Sequence, residues 1–142
     1  MFGKKRYRTA RAVIHCQDQY LLAVHSSFWA RRERRWGLLG GAIEWGESAE
    51  QAVQRELQEE LSLQLHEFAE IGAFSYKGAQ HMVFGTHTDA QIQTYDTNEL
   101  LDIGWFSLTE IQALADTRKL HAGYELHAIQ QFINSSRGPM QA

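Results

Sequence analysis

The stretch GGAIEWGESAEQAVQRELQEELSL, Gly40 to Leu63, governs how the rest of the chain is read. It sets six glutamates (Glu44, Glu47, Glu50, Glu56, Glu59 and Glu60) directly after a glycine pair. Ser48 with Gln51 three residues on is a capping-box signature, which predicts a helix from Ser48 to Leu61. Val53, Leu57 and Leu61 recur at i+4 and give that helix an apolar stripe. Residues three and four apart share a helix face. Glu56, Glu59 and Glu60 therefore occupy one arc of roughly a third of the circumference, and Glu60 borders the stripe. Three carboxylates this close repel one another. A hard divalent cation with oxygen ligands, Mg²⁺ or Mn²⁺, would relieve that repulsion. The plain alternative is a solvated acidic face. Against it, the acids hug the apolar edge, and Arg55 is the sole cation of the helix, placed to return to Glu47. The glycine pair also lets backbone approach a ligand closely.

Outward from this segment the pattern alternates between strands and helices. Residues 9–17 (TARAVIHCQ) and 19–27 (QYLLAVHSS) read as a hairpin, and FWARRERR, residues 28–35, as a loop. WGLLGGAIEW, residues 36–45, is a short strand broken by glycines. Residues 66–78 and 81–90 read as two further strands, residues 103–108 as another, and residues 108–115 and 123–134 as helices. Strands interrupted by two or three helices predict a mixed α/β or α+β layer fold.

The 142 residues, 44% hydrophobic and 22% charged, fit one globular domain over residues 1–142, with loose ends at about 1–8 and 135–142. The net charge of −3 argues against polyanions as partners, so nucleic acid is not expected. The single cysteine, Cys16, allows no internal disulfide, sits in an apolar run and reads as a small core residue. A cytoplasmic, reducing home is the expectation. No apolar stretch spans a bilayer, so no membrane is expected.

Gly41, Glu47, Arg55, Glu56, Leu57, Glu59, Glu60 and Leu63 fall on the pattern G-x5-E-x7-R-E-U-x-E-E-x-G-U, where U is aliphatic. The stretch thus resembles the Nudix box of the MutT-like Nudix hydrolases. Two positions depart from the family pattern: Ser62 replaces its second glycine, and Leu39 a common proline. Serine in the left-handed conformation costs about 1 kcal/mol, so a different helix end is expected.

The resemblance implies an α/β/α sandwich with a mixed β-sheet between helices. It implies Mg²⁺, with Mn²⁺ as a substitute, held by Glu56, Glu59, Glu60 and the Gly40 carbonyl. Glu99 is a further candidate, with Asp96 and Asp102 as rivals. Arg55 and Glu47 would hold helix and loop in register, and Glu59 or Glu56 would act as general base. Arg35, nearest the glycine pair among Arg31, Arg32, Arg34 and Arg35, is a candidate phosphate contact; Gly41, Trp29 and Tyr76 are further substrate contacts. Trp36 and Phe74 read as packing. His25 draws notice because MutT-like members often carry arginine near the end of this strand. The implied activity is hydrolysis of a diphosphate linkage in a nucleoside diphosphate joined to another group, with a (d)NTP or related small nucleotide favoured. An ADP-ribose or sugar-nucleotide pyrophosphatase, or a non-catalytic nucleotide-sensing module, is the alternative. A homodimer is a further expectation.

Overall fold

The computed structural model describes residues 6–27, 32–135 and 138. Trp29 and Arg31 lie outside them. Two tight turns organise the sheet. β1 (Thr9–Cys16) meets β2 (Gln19–His25) through Gln17 and Asp18, both at positive φ. β4 (Ala69–Tyr76) meets β5 (Ala79–His87) through Lys77 and Gly78, again both positive. Two positive φ values at the centre of a two-residue loop match the right-handed twist of the flanking strands.

β1 runs parallel to β5 from Thr9↔His81 to His15↔His87. On its other side it pairs with β2 only near the turn, at His15↔Tyr20 and Cys16↔Gln19. Its first half instead pairs with β3 (Leu39–Ala42). β6 (Leu100–Phe106) lies antiparallel to β2, giving the order β4-β5-β1-β2-β6. The outermost strand β4 is kinked where its register slips between Glu70 and Gly72. Backbone hydrogen bonds tie Arg8, expected in a loose leader, to Gln80 and Ile43.

The sheet is covered on both faces. α1 (Ala49–Leu61) buries Val53, Leu57 and Leu61 against Ala10, Ala12, Ile14 and Leu21. α2 (Leu108–Asp116) and α3 (Glu125–Asn134) bury Ile111, Ile129 and Phe132 against Val13, Leu22 and Val83. This is the expected α/β/α sandwich. Cys16 is buried. Leu39, at the proline position, is fully buried and paired with Ala12. No helix among the described residues is long and apolar enough to cross a membrane.

Both α1 and α2 start at true capping boxes, Ser48 with Gln51 and Ser107 with Glu110. The end of α1 corrects the expectation. Ser62 adopts the left-handed conformation, φ 53°, and its N–H still closes on the carbonyls of Gln58 and Leu57. Two satisfied carbonyls outweigh the steric cost of its Cβ. Ser62→Gly is therefore expected to stabilise the protein by about 1 kcal/mol, a rise of a few degrees in a thermal melt. An unchanged or lower melting temperature would show that no strain resides there.

Candidate active site

The glycine pair and α1 build the site together. Gly40 has φ 121°, and a Cβ there would strike the Ala10 carbonyl across the β1–β3 pairing. A Cβ on Gly41 would meet the Glu56 carboxylate at 2.6 Å. Gly40 therefore excludes a side chain, and one at Gly41 would displace the Glu56 carboxylate, so the pair lets α1 lie close on β3. The Gly40 N–H donates to Glu60 Oε1 at 2.9 Å. Glu60 is 2% exposed.

Arg55 organises the acids. Its Nε and Nη2 donate to the two carboxylate oxygens of Glu47, at 2.7 and 3.0 Å. Nη2 also donates to the Ala42 carbonyl at 2.9 Å. Nη1 reaches Glu56 at 3.0 Å and Glu59 at 3.3 Å. These bonds, Glu47 foremost, raise the affinity of Arg55 for its proton further. Glu47 in turn accepts the Glu44 N–H at 2.9 Å, closing the turn that carries Trp45. The indole of Trp45 is 74% exposed.

Burial pushes Glu60 up to about 8, opposed by the Gly40 N–H and reinforced by the charges of Glu56 and Glu99. Burial also raises Glu56, against Arg55 and with Glu59 and Glu99. Glu99 thus acts on both acids. Its rivals do not: Asp96 accepts from the Asn98 N–H, and Asp102 pairs with Arg34. His25 stands 3.6 Å from Glu60 and bonds the Leu38 carbonyl through Nε2 at 2.8 Å. Burial first, then Arg11, lowers His25 to about 4. The proton shared by this pair therefore stays on the carboxyl.

Oxygen donors that raise one another's proton affinity suit a hard cation. Among the described residues no three acids, histidines or cysteines converge into a closed metal cluster. Arg55 holds Glu56 and Glu59, and the Gly40 carbonyl accepts from Arg11 at 2.8 Å. That carbonyl keeps a second lone pair.

The metal-free protein carries a pH signature. Glu60 has a higher pKa folded, about 8, than its ordinary 4.5. The folded state then holds a proton the unfolded chain has lost, and stability falls as pH climbs between those values. His25 has a lower pKa folded, about 4 against 6.5, so its contribution falls as pH drops below 6.5. The two oppose each other in acid and leave Glu60 visible from neutrality to about 8. Urea denaturation in EDTA is expected to lose about 1–2 kcal/mol from pH 6.5 to 8. A flat or rising profile would refute the assignment.

The remaining expected contacts divide. Arg35 pairs with Glu33 at 2.9 Å, and its charge is felt at His121. Tyr76 lines a small cavity of about 70 Å³ with Arg11, His25, His81, His121 and Tyr124. Phe74 stacks on Tyr124 at 5.2 Å, and Trp36 packs edge-on against Phe106. Sequence reasoning missed Arg11, His81, His121 and Glu125. Arg11 left one trace, a charge in the middle of an apolar strand. Glu125 is buried and accepts the N–H groups of Ala122 and Gly123, holding the turn that leads into α3.

A curated relative, the NAD-capped RNA hydrolase NudC of Mycobacterium tuberculosis, is 29% identical over 105 residues, covering 71% of this chain and 33% of that protein. A Bacillus subtilis protein provisionally named an 8-oxo-dGTP diphosphatase is 36% identical over 75 residues, 51% of this chain and 50% of that one. The chain thus spans a third to a half of the length of these relatives. The NUDIX domain of Shewanella oneidensis NrtR, solved with ADP ribose, superposes with a TM-score of 0.69 at 22% identity, covering 90% of this chain and 86% of that one. The profile of the NUDIX domain matches residues 6–126, and with most of its length inside that match the chain belongs to the NUDIX family.

Proposed function

We propose that the protein hydrolyses a diphosphate linkage in a small nucleoside diphosphate derivative, using Mg²⁺ or, in its place, Mn²⁺. The observation that carries this reading is the buried Glu60 beside Glu56, with Glu99 acting on both. Glu56, Glu59 and Glu60 would hold the ion, with the Gly40 carbonyl and Glu99 as further oxygen donors. Such an ion supplies charge neutralisation on the phosphate oxygens and acidifies the attacking water.

The chain's own groups do the rest. Arg55 and Glu47 lock the loop at Ala42 onto α1, so the carboxylates keep their spacing. Water oxygen bonds to phosphorus, the bridging oxygen leaves with its electron pair, and Glu56 or Glu59 takes the water proton. Burial raises the affinity of Glu56 for a proton. Gly41, without a side chain, lets the Glu56 carboxylate lie against the backbone of β3. Tyr76, on the wall of the small cavity, and Arg35, whose charge is felt at His121 on the same wall, would contact the substrate.

The names of the relatives support the substrate class. NAD-capped RNA, 8-oxo-dGTP and ADP ribose all contain a nucleoside diphosphate. Within that class (d)NTPs come first, and ADP-ribose and sugar nucleotides second. The test is product release from NTPs, dNTPs, ADP-ribose, NAD and sugar nucleotides with Mg²⁺ or Mn²⁺. Turnover of one class is the expected result. Tight nucleotide binding with no turnover of any would replace the enzyme with a nucleotide-sensing module.

A further inference from the structure

Arg11 sits in the middle of β1, between the fully buried Ala10 and Ala12. A charge placed there is costly unless it is well partnered. Yet among the described residues no carboxylate lies within 4.0 Å of it. Its protein partners are neutral. Nη1 donates to the Gly40 carbonyl at 2.8 Å and Nε to Thr9 Oγ1 at 3.3 Å. Nη1 is also 3.5 Å from His25 Nε2, but that nitrogen's proton goes to the Leu38 carbonyl.

These bonds run in one consistent direction. The Thr9 hydroxyl, having accepted from Arg11, gives its own proton to His81 Nδ1 at 2.7 Å. His81 Nε2 then donates to the Tyr76 carbonyl at 3.2 Å. The guanidinium is thus held by groups whose own hydrogen bonds are settled. Its Nη2 has no protein partner among the described residues. Gly40 joins this cation to the acidic helix: its carbonyl serves Arg11 and its N–H serves Glu60. On the other side stand aromatic rings, with Tyr76 and His121 centred 5.7 Å apart and His81 and Tyr124 6.1 Å apart.

We propose that Arg11 is the phosphate anchor of this cleft, its free Nη2 edge binding the phosphate next to the nucleoside. The guanidinium supplies directed donors to an oxyanion, and Glu125, the carboxylate that lines the same cleft, is already engaged by the N–H groups of Ala122 and Gly123. This rests on the nucleotide reading above and adds the residue that selects phosphorylated over unphosphorylated nucleosides. The rival account makes Arg11 only a clamp on the Gly40 carbonyl.

The test uses the whole chain in EDTA, with the four ribonucleoside monophosphates and their nucleosides titrated by calorimetry. The expected result is at least one monophosphate bound about ten- to a hundred-fold tighter than its nucleoside. Arg11→Gln is expected to erase that difference while keeping nucleoside affinity, and Arg11→Lys to retain part of it. Phosphate discrimination that survives Arg11→Gln overturns the proposal. So does equal loss of nucleotide and nucleoside, or a wild type that binds neither. Should Arg11→Gln not fold, the Arg11 Nε–H resonance of the wild type decides: it is expected to shift with monophosphate and stay still with nucleoside, and the reverse overturns the anchor. No metal or turnover enters these titrations. A protein that binds monophosphates through Arg11 but hydrolyses no diphosphate would sink the hydrolase reading and leave the anchor standing.

Discussion

Glutamine in place of Glu60 is expected to lower turnover by at least about 100-fold, beyond the usual effect of disturbing the support of a metal site. The metal-free fold should keep its stability or gain some. The two halves of this result have separate causes. The amide oxygen of glutamine can still accept the Gly40 N–H, now made to Glu60 at 2.9 Å. Its NH₂ would face His25 Nδ1, a bare acceptor because the Nε2 proton goes to Leu38. Nothing buried loses a partner. What disappears is a carboxylate whose ionisation in a buried site is opposed by Glu56 and Glu99. Mn²⁺ affinity, measured by electron paramagnetic resonance, should fall with activity. The decline in stability between pH 6.5 and 8 should vanish. Undiminished Mn²⁺ binding would remove Glu60 from the proposed ligand set.

Arg55→Lys should act in the opposite way, through the fold. Arginine forks onto both oxygens of Glu47 and also reaches Ala42, Glu56 and Glu59. Lysine has one nitrogen and no fork. At best it keeps Glu47 and abandons the Ala42 carbonyl, and the acids then repel without a mediator. The expected cost is about 2–3 kcal/mol, with a melting temperature lowered by about 6–12 °C. Arg55 and Glu47 are both mostly buried, so salt should restore little of this. Turnover should fall as well, because Glu56 loses the bond that aims it. A lysine variant as stable as wild type would mean that the network only decorates α1.

These expectations show which features were legible in the sequence. α1 was, because its cap, its stripe and its acids are all local signals. Ser48, Gln51, Val53 and Leu57 stand where the spacing puts them. The first hairpin was, because its turn is short, and so were the two strands of the second, though not their pairing. The parallel pairing of β1 with β5 was not, since Thr9 meets His81 from 72 residues away and no local residue announces it. Nor was the insertion of β3 beside the first half of β1. β6 begins at Leu100, three residues before the expected start, because the fully buried Leu100 pairs with His25 across a bulge. The acid cluster was readable from one helix. The cleft beside it draws Arg11, His25, His81 and His121 from separate segments, and spacing along the chain carries no trace of that meeting.

The kink in β4 has a consequence beyond the site. As an edge strand, β4 carries a row of backbone donors and acceptors that another chain could extend into a larger sheet. The slip between Glu70 and Gly72 interrupts that row, and the bend turns its two halves out of line. A straightened β4 would offer a longer, flatter template, and the price would be paid in self-association, not in catalysis.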